Sequence, residues 1–74
     1  MKETVLYIKG MDCEDEARLI RAEFGRLEGV RAYEINLTTR SLKVSYDPAL
    51  ISGQDLVKAA ARTGMKASLE RDDG

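Results

Sequence analysis

Apolar residues in this 74-residue chain recur at every second position, then at three- and four-residue steps, and the switching between these periods constrains the fold. Residues 4–9 are rich in β-branched and aromatic side chains and read as a strand, with Leu6 and Ile8 on one face and Gly10 as its break. From Asp15 the step lengthens. Ala17, Ile20, Phe24 and Leu27 form one helical stripe, which Leu19 widens, while Arg18, Arg21, Glu23 and Arg26 are expected in solvent. Glu28-Gly29 is the expected stop. Alternation returns over residues 30–37, with Tyr33, Ile35 and Leu37 in phase, and again at Leu42, Val44 and Tyr46. The polar segment 36–41 between them predicts a hairpin that ends at Asp47-Pro48. Ser52 with Asp55 resembles a capping box with a short acid, opening a second helix through Leu56, Val57, Ala60 and Ala61 that Gly64 closes. Residues 65–69 can form a last strand, and the charged tail 70–74 is expected to fray.

The order is β-α-β-β-α-β. Burial is simplest in a four-stranded antiparallel sheet with both helices on one face, an α+β arrangement. Its usual strand order puts the first strand beside the last, which makes Gly10-Met11 and Gly64-Met65 neighbours and brings Met65 toward Cys13. A chain of this length buries one modest core, so residues 1–74 read as a single domain ordered over about 3–70. One cysteine excludes an internal disulfide, so packing alone must hold the fold, as suits a reducing, cytoplasmic setting. Twelve basic against thirteen acidic residues leave a net charge of −1, which supports neither nucleic-acid binding nor membrane adsorption. Apolar runs fall far short of a bilayer span, and Met1-Lys2-Glu3 does not begin a signal peptide. The chain reads as cytosolic, or as the cytosolic domain of a longer inner- or plasma-membrane protein, with no insertion by this segment.

Chemistry concentrates at Cys13, where the first strand gives way to the first helix. The chain has no histidine, so an imidazole ligand or base is excluded. Helix N-terminal amides favour a thiolate; the neighbouring acids oppose it unless a cation lies between. Asp12, Cys13 and Glu16 can offer two oxygens and one sulfur, with Glu16 three residues beyond Cys13 on the helix. Zn2+ accepts such a set in a tetrahedral shell with a fourth position left for water or an incoming thiolate, whereas Cu+ prefers a second soft ligand. The same residues have a plainer reading: a lone cysteine is often a small buried hydrophobe, and acids at a helix start are common caps. Met11 reads first as a core anchor for the loop, Met65 as loop packing, and Tyr7, Tyr33 and Tyr46 as sheet side chains. No glycine-rich phosphate loop is present, so an acylphosphatase-like enzyme is disfavoured, and no catalytic residues are assigned.

Gly10-Met11-Asp12-Cys13 resembles the metal loop of the heavy-metal-associated domain family. The resemblance extends to Leu27-Glu28-Gly29-Val30, to Val44-Ser45-Tyr46-Asp47-Pro48 and to the Ala60 to Ala67 stretch with Thr63-Gly64-Met65-Lys66-Ala67. It implies a ferredoxin-like βαββαβ sandwich, found in soluble metallochaperones and in N-terminal domains of metal-exporting P-type ATPases. The family loop runs Gly-Met-x-Cys-x-x-Cys, and here Glu16 stands at the second thiol position. Asp12 is similar to the residue preceding the cysteine in domains that handle zinc, cadmium or lead. The resemblance therefore implies a metal set of Asp12, Cys13 and Glu16 for Zn2+ or Cd2+, with Pb2+ possible and Cu+ disfavoured. Its implied role is metal transfer to or within a membrane metal-transporting ATPase, as a monomer or as a dimer bridged by one metal. The alternatives are a stand-alone metallochaperone and a degenerate domain that serves as a protein-contact module.

Overall fold

The structure is a computed structural model that describes residues 1–73, with side chains described through Glu70. Its elements are β1 (Lys2–Lys9), α1 (Glu14–Phe24), β2 (Val30–Asn36), β3 (Ser41–Tyr46), α2 (Gly53–Ala61) and β4 (Lys66–Asp73). The strands form one four-stranded antiparallel sheet in the order β2-β3-β1-β4, so the first strand does lie beside the last. No helix among the described residues is long and apolar enough to cross a membrane.

Burial follows the two periods. Leu6 and Ile8 of β1 and Leu42, Val44 and Tyr46 of β3 point to the helix side, where Ile20 and Phe24 of α1 and Leu56, Ala59 and Ala60 of α2 meet them. Tyr33, Ile35 and Leu37 pack at the margin of this core, as their alternation predicts. A close approach with a positive φ requires glycine after the first helix. Gly29 has φ +97°, and a Cβ there would stand 2.8 Å from the Ile51 side chain.

Several expectations are corrected. Leu19 does not widen the buried stripe; it is 50% exposed. Glu23, expected in solvent, is buried against α2, because Arg62 reaches it from the end of that helix at 2.7 Å and Arg26 from its own at 3.0 Å. These two guanidiniums hold the Glu23 carboxyl below its usual range, against the opposing effect of burial. Helix α1 begins at Glu14 with Cys13 as its N-cap and ends at Phe24 with Gly25 as its C-cap, short of Glu28-Gly29. Glycine propagates a helix poorly, so Leu27 reaches the core from a turn. In α2, Ala59 is buried and Ala61 exposed. The last strand does not stop at Leu69. It runs to Asp73, paired antiparallel with β1 as far as Glu3, with a register shift between Val5 and Leu6 opposite Glu70. Of the tail expected to fray, Gly74 lies outside the described residues.

Candidate metal centre

The loop joining β1 to α1 is anchored at its base. Gly10 takes φ +96°, a conformation other residues rarely adopt, and the chain folds back with the Met11 amide donating to the Ile8 carbonyl at 3.2 Å. Met11 is 0% exposed, a core residue, which removes its thioether from the surface. Met65 lies across from this turn, its Cγ 3.7 Å from where a Gly10 Cβ would be, and packs against the core edge. The neighbouring of the two Gly-Met segments is thus as expected, and both methionines serve packing.

With Met11 pinned inward, Asp12 and Cys13 are presented outward. Cys13 is the N-cap of α1, extended at φ −149° and ψ 171°, and its side chain makes no capping hydrogen bond. It is exposed, which removes the small-buried-hydrophobe reading. The Cys13 thiol donates to Glu16 Oε1 at 2.6 Å across one turn of helix. One ligand-capable atom each from Asp12, Cys13 and Glu16 lies within 4.8 Å of the others, with Asp12 and Cys13 exposed and Glu16 half-buried. Adjacent donors in a tetrahedral zinc shell stand about 3.3–3.8 Å apart, from bond lengths of roughly 2.0–2.3 Å. Seating an ion therefore requires the sulfur and the Glu16 oxygen to part by about 1 Å, within reach of a rotation of an exposed side chain.

The remaining acids of the first turn are engaged elsewhere. Arg21 Nη1 lies 2.5 Å from Glu14 Oε1, and this hydrogen bond and charge hold the Glu14 carboxyl below its usual range. Asp15 stands 3.9 Å from Arg18. The sequence reading did not single out Arg21 as a partner of Glu14. Its signal was the seven-residue spacing, two helical turns on one face, which is longer than the spacing usually searched for ion pairs. On the far side of the sheet a shallow concavity of about 200 Å³ is lined by Glu3, Ala32, Tyr33, Glu34, Lys43 and Ser45. It is below the usual size of small-molecule sites and is crossed by the Lys43–Glu3 ion pair at 3.7 Å.

Comparison with known proteins gives this geometry a context. The heavy-metal-associated domain family matches residues 5–66. A copper-exporting P-type ATPase of Staphylococcus saprophyticus is 36% identical over 85% of the chain, and a cadmium/zinc-transporting ATPase of Oryza sativa subsp. japonica is 32% identical over 90%. The chain spans only 8% and 7% of those two ATPases. It spans 93% of a copper chaperone of Bacillus subtilis, to which it is 30% identical over 86% of its own length. Among solved structures, a copper-binding domain from a P-type ATPase superposes with a TM-score of 0.94, covering 100% of both chains; at 20% identity it speaks for the fold alone.

Proposed function

The chain belongs to the heavy-metal-associated domain family, and from that premise we propose that it carries Zn2+ or Cd2+, with Pb2+ as a third candidate, on Asp12, Cys13 and Glu16. It is a heavy-metal-binding module by family. The observation that carries the finer reading is the Glu16 carboxylate, 2.6 Å from the Cys13 sulfur. A lone sulfur beside two carboxylates suits a borderline divalent ion; Cu+ calls for a second soft donor, and Met11 is fully buried.

The cargo is held and passed on without bond-making in a substrate. Three donors at an exposed loop leave a tetrahedral ion one open position, which a thiolate or carboxylate of the receiving protein enters before Cys13 leaves. Oxygen donors in place of a second thiolate weaken the hold and keep the ion exchangeable. The receiving protein is a membrane metal-transporting ATPase, reached either as a separate carrier or as part of the same polypeptide, in the cytosol in both cases. Copper carriage is the second reading, favoured by the copper exporter and copper chaperone among the relatives.

A competitive titration in reducing, non-coordinating buffer separates these readings. It compares Zn2+, Cd2+, Pb2+ and Cu+ on the wild type, Cys13→Ser and Glu16→Ala, with stoichiometry read by native mass spectrometry. The expected result is one divalent ion per chain, weakened more than about a hundredfold by Cys13→Ser and about tenfold by Glu16→Ala, since even partners outside the ligand shell are worth 10–100-fold. Cu+ bound more tightly than the divalent ions and indifferent to Glu16→Ala establishes the copper reading instead. A ratio of one metal to two chains identifies a bridged dimer. Binding unchanged in Cys13→Ser removes the site and leaves a protein-contact domain.

A further inference from the structure

Four carboxylates crowd the sequence between Asp12 and Glu16, and the structure sorts them. Asp12 and Glu16 gather at the Cys13 sulfur, whereas Glu14 is drawn along the helix to Arg21 at 2.5 Å. Asp15 is only loosely associated with Arg18, at 3.9 Å. Resting on the reading of Asp12, Cys13 and Glu16 as the ligand set, we infer that Arg21 is a positioning residue for metal specificity: by occupying the Glu14 carboxylate it keeps a third carboxylate out of the shell.

The consequence is a matter of hardness. Glu14 is the first residue of α1, directly after Cys13, so its carboxylate, once released from Arg21, is a further oxygen donor at the same helix start. A shell of one sulfur and two oxygens with an open position suits Zn2+ and Cd2+. Each added carboxylate shifts preference toward Mn2+ and other oxygen-seeking ions that take higher coordination numbers. Both partners of the Glu14–Arg21 pair are about half exposed, at 55% and 48%, so the restraint is soft and its effect on selectivity modest.

The test measures Cd2+ and Mn2+ affinities by competition in the wild type, Arg21→Met, Arg21→Lys, Glu14→Gln and the double variant Arg21→Met/Glu14→Gln. The sulfur-to-cadmium charge-transfer absorbance serves as the report of thiolate ligation. Methionine and lysine both suit an exposed helix position, so the fold is retained. Arg21→Met is expected to tighten Mn2+ about fivefold while leaving Cd2+ and its absorbance unchanged, as befits release of one exposed ion pair. Arg21→Lys should behave as the wild type, and the Mn2+ gain should vanish in the double variant. A gain that persists without Glu14 overturns the inference, because it shows that only the net charge near the loop matters. Equal Mn2+ affinities in the wild type and Arg21→Met overturn it as well. Failure of the underlying site reading is seen separately, as a charge-transfer band that is missing in the wild type or retained in Cys13→Ser, and it takes this inference with it.

Discussion

At the start of α2 the Ser52 hydroxyl accepts the Asp55 amide at 3.3 Å, and the Asp55 carboxylate accepts the Ser52 amide at 3.0 Å. The start of α1 holds equivalent positions, Cys13 at the N-cap and Glu16 three residues on, yet no reciprocal box closes. There the Glu16 carboxylate turns to the sulfur, and the Cys13 side chain caps nothing. The same pattern of a small polar residue followed by an acid thus has two uses. At α2 it satisfies orphan amides of its own helix; at α1 the side chains stay available to something outside the chain, with local stability forgone.

The comparison is broken most severely through the anchor under the α1 start. Met11→Ala should cost about 2–5 kcal/mol, the range for truncating a fully buried large side chain, read from urea denaturation. It should also weaken metal binding by unfixing Asp12 and Cys13, although Met11 itself donates nothing. Next in size is Ser52→Ala, expected to cost ~1 kcal/mol with metal affinity unchanged. Its partner Asp55 has a carboxyl held below the usual range, by hydrogen bonds from the Ser52 backbone and then its side chain. A lowered folded value means stabilisation that is complete above the ordinary carboxylate range and lost as pH falls through the lower folded value. Alanine keeps the backbone amide and removes only the lesser, side-chain bond, so Ser52→Ala should make the acid limb of a stability–pH profile slightly shallower without abolishing it.

Cys13→Ser sharpens the contrast with opposite signs. It completes the elements of a capping box at α1, so the fold should gain about 0.5–1 kcal/mol, a few degrees in thermal midpoint, while metal is lost. A midpoint unchanged or lowered would mean that the α1 start is not under-capped. Smallest of all is Leu19→Ala, within about 0.5 kcal/mol by the same denaturation assay, because that side chain is half in water. A cost near that of Met11→Ala would place Leu19 in the core after all.

Legibility from sequence tracks the range of the interactions involved. Strands and helices were readable because period and burial are local, and Asp12, Cys13 and Glu16 because one helical turn brings them together. The box at Ser52 was readable for the same reason. The burial of Glu23 is not legible locally because its principal partner, Arg62, lies 39 residues away, and no local pattern announces that a charged residue will be buried against a neighbouring helix. The exposure of Leu19 is the opposite case, since apolar composition alone does not say which edge of a stripe meets the sheet. The length of β4 escaped because residues 70–73 are charged, and charge on an edge strand costs little where one side faces water.

The pairing of β1 with β4 reaches beyond the core. Lys9 sits opposite Lys66 at the loop end, and Glu3 opposite Asp73 at the other. The two ends of the chain therefore emerge side by side, about 25 Å from the loop by the rise of eight strand residues. Whatever is tethered at either end, whether a flexible linker, a sister domain or an affinity tag, starts at the pole opposite Cys13. The tether and the loop thus occupy opposite poles, so an attachment leaves the approach to Cys13 unobstructed.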